Sequence, residues 1–189
     1  MADNSFYPVS DSHTIITELM IPSYANFGGK VHGGIILSLM DKVAYACATK
    51  HARMYCVTAS VDAVHFLSPV EVGEMVSLYA SVNYVGNSSM EIGIRTEARN
   101  IRSGLVKHTN TSYFTMVGVG DDGKSAPVPG LILETAQDVR RFIEGRERRH
   151  IARQGRKPIP KMDNLADVQA QLETLNKARC QIAWNPLAE

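Results

Sequence analysis

The fold of this chain is decided by the stretch Asn26-Phe-Gly-Gly-Lys-Val-His-Gly-Gly-Ile-Ile-Leu-Ser-Leu-Met-Asp41. Its glycine-rich first half, residues 26–34, leads into residues 35–50, which contain no Gly or Pro and have the composition of a helix. This helix is apolar around nearly its whole circumference, so we expect it to be buried on all sides. Asp41 is its only acid and would lie inside the core, where an unpaired carboxylate is costly.

Two roles for Asp41 fit this position. The residue can be a structural acid that pairs with Lys42, with a neighbouring strand or with a subunit partner. It can also be a general base or a nucleophile in a water-poor cleft. Acids in unusual environments occur in structural networks as well as in active sites, so the position alone leaves both roles open.

The loop before the helix favours a chemical role. Gly33 and Gly34 leave backbone N–H groups uncovered at the helix start, where anions and developing oxyanions bind. Asn26 and His32 place polar side chains beside them. A carbonyl bound here would be polarised while an acid drives attack by water. The simpler alternative is a turn that needs glycine for its backbone angles.

Composition narrows the class of protein. The chain has 189 residues, is 44% hydrophobic and carries a net charge of +1, so charge predicts neither nucleic-acid nor membrane binding. The longest apolar run, residues 35–48, is interrupted by Asp41-Lys42 and is too short to span a membrane. Three widely spaced cysteines and an N-terminus without signal-peptide features predict a soluble, cytoplasmic protein.

Period-two alternation predicts five strands around the helix. The segments with this alternation and with β-branched residues are His13–Ile21, Tyr55–Leu67, Met75–Val85, Met90–Asn100 and Val106–Val119. One strand, one helix and four strands joined mostly by short connections predict an α+β architecture, in which an antiparallel sheet wraps around one long central helix. A free edge strand would offer a second copy a route to a dimer.

The composition changes after Pro127-Val-Pro129. Residues 134–157 carry seven arginines and one lysine against four acids, and their pattern is helical as far as about Gln154. A solvated helix face is the usual explanation; contact with substrate phosphates, with subunits or with nucleic acid are the alternatives. Beyond Pro158-Ile-Pro160, the residues that line one face of a last amphipathic helix are Leu165, Val168, Leu172, Leu175 and Ile182.

Several chemical motifs are absent or incomplete. Gly28-Gly29-Lys30 lacks the spacing and the Ser/Thr of a phosphate loop, and the sequence has no Gly-x-Ser-x-Gly elbow for a nucleophilic serine. Cys47 and His51 stand four residues apart on the helix, but no second pair completes a metal site, so we predict none.

The order of the elements, together with Asn26, His32-Gly33-Gly34 and Asp41, resembles the hotdog-fold acyl-CoA thioesterases with an Asn/Asp pair. The stretches Val57–Val70 and Gly86–Ile92 are similar to the broad-range acyl-CoA hydrolases, the bacterial short-chain and animal brain-type enzymes. The resemblance covers roughly residues 13–152. His32 differs from the apolar residue that these relatives often carry and is similar to phenylacetate-pathway thioesterases.

This resemblance implies an enzyme that hydrolyses the thioester of fatty acyl-CoA. Asp41 would be the general base, or alternatively a nucleophile, and Asn26 would position the water or the thioester carbonyl. The amides of Gly33 and Gly34 would form the oxyanion hole. The turn that would hold the pantetheine and phosphates consists of Gly86, Asn87, Ser88 and Ser89. Acyl-CoA is the substrate, and no metal or cofactor is implied.

The resemblance also implies partners and domain limits. Relatives are dimers of hotdog subunits, often assembled as trimers of dimers, so we expect a homohexamer of lipid metabolism without nucleic-acid or membrane partners. The expected division is a hotdog domain at 1–130, a basic helical segment at 131–157, and a linker with an amphipathic helix at 158–189. A non-catalytic acyl-CoA-binding module and a hotdog dehydratase, which uses a loop His and a helix Glu, remain as alternatives.

Overall fold

The computed structural model describes residues 5–154. By its internal contacts the chain divides into one compact unit that ends at Arg149 and a second that begins at His150. Of the second unit, only residues 150–154 are described. The amphipathic helix predicted after Pro160 therefore lies outside the described residues.

In the central part of the chain, one strand, one long helix and four strands follow each other in the expected order. The helices are α1 (Val9–Ser12), α2 (Gly33–Ala52) and α3 (Ala136–Gln154), with a short 3-10 turn at Pro22–Tyr24. The strands are β1 (Phe6–Pro8), β2 (Thr14–Leu19), β3 (Tyr55–Val61), β4 (Glu74–Val85), β5 (Ser89–Asn100), β6 (Val106–Val119) and β7 (Gly130–Ile132).

Five antiparallel strands form the main sheet, in the order β2-β4-β5-β6-β3. The α+β architecture predicted from the alternation is therefore confirmed. The sheet curls around α2, whose buried side chains pack on its inner face. The buried residues of the helix are Ile36, Leu39, Met40, Val43, Ala44, Cys47, Ala48, His51 and Ala52. β2 and β3 are the two edge strands, and among residues 5–154 neither has a strand partner on its outer side.

The prediction that the central helix is buried on all sides is wrong. Asp41 is exposed, and so are Leu37 and Tyr45, with 38% and 43% of their surface accessible. Residues four apart lie on one face of a helix, so these three side chains form one stripe. The buried residues of α2 lie on the opposite face, which packs against the sheet. Leu37 and Tyr45 are thus two apolar side chains on either side of Asp41 that residues 5–154 leave exposed.

The short strands β1 and β7 were not foreseen, and neither were the four-residue helix α1 and the 3-10 turn. β1 and β7 pair in parallel, with Phe6 opposite Gly130, as a separate two-stranded sheet. Strands of three residues are too short to show a period, so alternation could not identify them. β3 also ends at Val61 rather than at Leu67. Beyond it, the chain keeps two hydrogen bonds to β6, from Asp62 N to Tyr113 O and from Leu67 N to Thr109 O.

The basic helix α3 is not a fully solvated surface helix. Arg148 forms a bidentate ion pair with Glu91, at 2.6 and 3.1 Å, and its guanidinium stacks 3.6 Å from the centre of the Tyr113 ring. Burial lowers and the Glu91 carboxylate raises the pKa of the Arg148 guanidinium, and the net shift is upward. Phe142 packs on Tyr84 with ring centres 5.1 Å apart. Alternation along β5 places Glu91 on the sheet face opposite α2, so α3 lies against the outer face.

Candidate active site

Asp41 has a hydrogen-bond partner on the edge strand. The Thr58 hydroxyl donates to Oδ1 of Asp41 at 2.6 Å, and the same Thr58 oxygen lies 3.4 Å from the sulfur of Met116. A bond this short to a carboxylate is of the strong, charge-assisted kind. It holds one carboxylate oxygen in place and leaves Oδ2 as the oxygen that can take a proton from a bound water.

A β-bulge brings Thr58 to this position. In β3, Thr58 pairs with Met116 and Ser60 pairs with Thr115, so Ala59 is an extra residue between the two pairs. Such bulges bend a strand, increase its twist and re-aim side chains, and they are frequent next to active sites. Cys56, two residues earlier on the same side of the strand, is buried, whereas Thr58 is exposed, so Thr58 lies where the helix-facing side of β3 opens to solvent.

The start of α2 offers fewer free amides than the sequence suggested. His32 is the N-cap, and its Nδ1 accepts the hydrogen of Gly34 N at 2.9 Å. The Gly34 amide expected in an oxyanion hole is therefore occupied within the chain. The Gly33 amide has no hydrogen-bond acceptor recorded among residues 5–154. It is the glycine amide at this tip that can bind a substrate oxygen.

The Asn26 side chain holds its own loop. Its Oδ1 accepts from the backbone N of Gly28 at 2.9 Å and of Lys30 at 3.1 Å. Gly29 has a positive φ of 76°, which allows the chain to turn this tightly. The Lys30 ammonium also pairs with Glu71 at 2.5 Å. With its oxygen engaged, the Asn26 side chain presents its amide NH₂ as a donor.

The predicted site residues form two groups in one chain. Asn26, Gly33 and Gly34 lie at the loop–helix junction, whereas Asp41 and Thr58 lie further along the helix. Gly33 and Asp41 are eight residues apart in a continuous helix, which separates their Cα atoms by about 12 Å. Reacting groups must approach to about 3–3.5 Å. Along one helix, the two groups are therefore far apart compared with this contact distance.

The turn at residues 86–89 lies near the second group. Across the sheet, Thr58 pairs with Met116 and Met116 pairs with Met90, so the turn that ends at Ser89 begins about two strand spacings, roughly 10 Å, from Thr58. The carbonyls of Asn87 and Ser88 accept hydrogen bonds from Val128 N and Gly118 N, both at 2.9 Å. These bonds fix the turn against the chain that follows β6.

The two described cysteines lie at or near the helix and are buried. Burial raises the pKa of the Cys47 thiol to about 12 and that of Cys56 to about 11. Both thiols are therefore protonated and unreactive near neutral pH.

Within residues 5–154, no three His, Cys, Asp or Glu side chains are grouped to hold a metal ion. None of the helices described is long and apolar enough to cross a bilayer.

Comparison with known proteins decides the family. A model described as the thioesterase superfamily matches residues 28–105. Protein VdlD of Helicobacter pylori is 40% identical over 141 residues, which are 75% of this chain and 80% of that protein. YkhA of Bacillus subtilis, named an uncharacterized acyl-CoA thioester hydrolase, is 33% identical over 68% of this chain and 75% of its own length. The chain belongs to the hotdog-fold acyl-CoA thioesterases.

Solved structures agree with this thioesterase assignment. A hexameric acyl-CoA thioesterase without ligand superposes with a TM-score of 0.77 at 35% identity, covering 79% of this chain and 96% of that one. The acyl-CoA hydrolase of Staphylococcus aureus, solved with butyryl coenzyme A and coenzyme A, gives a TM-score of 0.72 at 27% identity. The superposition covers 90% of this chain and 98% of the S. aureus chain.

Variants of the S. aureus enzyme identify a residue that the sequence analysis did not single out. They replace one aspartate, one threonine and one asparagine by alanine. In that enzyme the asparagine precedes the aspartate by 15 residues and the threonine follows it by 17, which are the separations of Asn26, Asp41 and Thr58 here. Thr58 stood inside the stretch Val57–Val70 that carries the resemblance. The alternation of the strand, which puts Thr58 on the same side as Cys56, was the available signal.

Proposed function

We propose that this thioesterase hydrolyses acyl-CoA to a free fatty acid and CoA, with Asp41 as the base that activates water. The observation that carries the proposal is the hydrogen bond from Thr58 to Asp41 on an exposed helix face. Thr58 holds Oδ1, so Oδ2 is the oxygen that accepts the proton of the attacking water. The exposed position gives water and substrate access to a carboxylate that a buried structural acid would not offer.

The reaction balances with these groups alone. Asp41 takes a proton from water while the water oxygen forms a bond to the thioester carbon, and the carbonyl electron pair moves onto its oxygen. When the tetrahedral intermediate collapses, the carbon–sulfur bond breaks and the CoA thiolate leaves. The proton held by Asp41 then passes to the thiolate. One carboxylate thus serves as base and then as acid.

The loop–helix junction supplies the hydrogen-bond donors that stabilise negative charge on the thioester oxygen. The Gly33 amide is a free donor at the positive end of α2, where a developing oxyanion is stabilised. The Asn26 amide NH₂ is a second donor, for the thioester oxygen or for the attacking water. The expected role of Gly34 is narrower than the sequence suggested, because its hydrogen is already donated to His32.

Each active site is shared between two subunits. About 12 Å separates Gly33 from Asp41 within one helix, so the Asn26–Gly33 junction of one copy must meet Asp41 and Thr58 of another. The free edge of β3 and the exposed stripe with Leu37 and Tyr45 supply the surface on which that copy packs. Structural relatives are hexamers, which supports a homo-oligomer in which three such dimers assemble.

CoA is held by the turn at residues 86–89. This turn lies at the end of the sheet that carries Thr58. The Gly86 N–H already donates to Ser89 O at 2.7 Å and Ser89 is buried, so the side chains of Asn87 and Ser88 are the groups that the turn offers to the pantetheine and phosphates. Arg148, in contrast, is fully used by Glu91 and Tyr113. If α3 contributes to phosphate binding, the exposed Arg146 is the better placed arginine, because its 3.6 Å contact with Glu147 is weak.

Release of free thiol from acetyl-, hexanoyl- and palmitoyl-CoA tests this function. The wild type should release CoA from at least one of them, and Asp41→Asn should lower kcat by roughly 10²–10⁴-fold. Since Asp41 is exposed, the variant should keep its fold, which melting temperature and particle mass will check. A wild type that binds acyl-CoA without hydrolysing it would instead identify a binding module. Near wild-type turnover in Asp41→Asn would leave Asp41 a structural acid.

A further inference from the structure

We infer that His32 donates a hydrogen bond from Nε2 to the thioester oxygen, in the place that the sequence assigned to the Gly34 amide. The inference rests on the proposed hydrolysis of acyl-CoA and names a further residue of that site. It is carried by the contact between the His32 ring and the first turn of α2.

That contact determines which ring nitrogen carries the hydrogen. Nδ1 of His32 accepts from Gly34 N at 2.9 Å, so Nδ1 has no hydrogen and the neutral ring carries it on Nε2. The ring lies close against the helix start. A Cβ on Gly34 would come within 2.9 Å of Nδ1 and 3.0 Å of Cε1. Gly34 is therefore required for this placement of the ring, and the Gly34 amide in turn selects the Nε2–H form.

The Nε2 donor is free and accessible. His32 is exposed, and no hydrogen bond of its Nε2 to a described residue is recorded. Its backbone is fixed, because His32 N donates to Tyr24 O at 2.8 Å and Ile35 N donates to His32 O at 2.9 Å. One nitrogen of the ring is thus tied to the first turn of the helix through Gly34, and the other carries a hydrogen that this bond does not use. In the proposed site, Nε2–H joins the Gly33 amide and the Asn26 NH₂ as a donor to the thioester.

A purely structural role would use only one end of the ring. An N-cap needs an acceptor for the first-turn amides, and Asn, Asp, Ser or Thr supply it at least as well. Such a cap has no use for a second nitrogen. The capping role needs only an acceptor at the position of Nδ1, whereas the proposed role also needs a donor at the position of Nε2. Side-chain amides of two different lengths can test the two positions separately.

His32→Asn and His32→Gln separate them. The Asn oxygen reaches the position of Nδ1 and keeps the cap, but no group of Asn reaches the position of Nε2. The Gln side chain is one methylene longer, and its NH₂ reaches the position of Nε2 without making the same cap. Both variants of the full-length protein would be compared with the wild type in melting temperature, particle mass, and kcat and KM for the best acyl-CoA.

We expect His32→Asn to keep the melting temperature and to lose about 10²-fold in kcat, the usual effect of one lost oxyanion donor. His32→Gln should melt at a lower temperature but retain a kcat at least tenfold above that of His32→Asn. Wild-type kcat in His32→Asn, or a His32→Gln variant no more active than His32→Asn, would overturn the inference. Neither result would touch the proposed function, which fails only if the wild type itself hydrolyses no acyl-CoA.

Discussion

The hydroxyl of Thr58 donates to Oδ1 of Asp41 over 2.6 Å, from an edge strand to the exposed face of the central helix. This bond joins two residues that are 17 positions apart in sequence. It converts an acid without a neighbouring partner into a carboxylate with one oxygen held and one free. The expected consequences can be measured separately for the acid, its partner and the rest of the site.

Removing the Thr58 hydroxyl should lower turnover without unfolding the protein. Thr58→Val keeps the shape of the side chain and removes the donor, so we expect kcat to fall about 10- to 100-fold, the equivalent of one hydrogen bond to a charged group. Thr58→Ser is the matched control, because it keeps the hydroxyl, and should stay within a few-fold of wild type. A Thr58→Val variant with the same turnover as Thr58→Ser and the wild type would show that the bond has no part in the reaction.

Mixing two inactive variants should restore activity if the site is shared. Asn26→Ala and Asp41→Ala each damage a different half of the site, so a mixed dimer has one intact site and one doubly damaged site. Random exchange should then recover about a quarter of wild-type activity. Mass spectrometry must show that the subunits have exchanged. A fully exchanged mixture without activity would place the whole site in one chain.

Arg148 and Arg146 should differ in their effect on stability. Arg148→Ala leaves the Glu91 carboxylate, whose side chain is 10% exposed, without its partner, and should cost about 2 kcal/mol, or a melting temperature about 5 °C lower. Arg146→Ala removes an exposed side chain with one weak contact and should leave the melting temperature unchanged. Scanning calorimetry of both variants decides this. A large loss for Arg146→Ala would contradict the assignment of α3 contacts.

The two described cysteines should not react with thiol reagents in the folded protein. Burial raises the pKa of Cys47 to about 12 and of Cys56 to about 11, so at pH 8 only a small fraction, on the order of 10⁻³ or less, is thiolate. In a Cys180→Ser variant, we expect no labelling in buffer and two labelled thiols in denaturant. Rapid labelling of the native variant would show that one of these sites opens readily.

The local pattern of the chain predicted most of the fold. Alternation located the five strands of the main sheet, with Val106–Val119 matching to the residue, because a strand with one buried face must alternate. The glycine-free run after Gly34 located α2. The same pattern gave no sign of β1 and β7, which consist of three residues each and pair across most of the chain.

The candidate site was predicted in part. Asn26, Gly33 and Asp41 stand out in the sequence because a polar or glycine residue is unusual beside so apolar a helix. Thr58 does not stand out, since threonine is common in strands and its value depends on the bulge that aims it at Asp41. The occupation of the Gly34 amide by His32 could not be predicted either, because it depends on a side-chain rotamer.

The sequence by itself determined that the chain folds as strands around one apolar helix preceded by a glycine turn, because local periodicity and backbone freedom are properties of adjacent residues. The tertiary structure alone decided that Asp41 is exposed and that Thr58 is its donor. The separation of Gly33 and Asp41 follows already from eight residues of helix at about 1.5 Å each, so the sequence predicts it. The exposure and the hydrogen bond depend on where the curled sheet leaves the helix uncovered. Relationships of that kind arise only when separate elements pack in three dimensions.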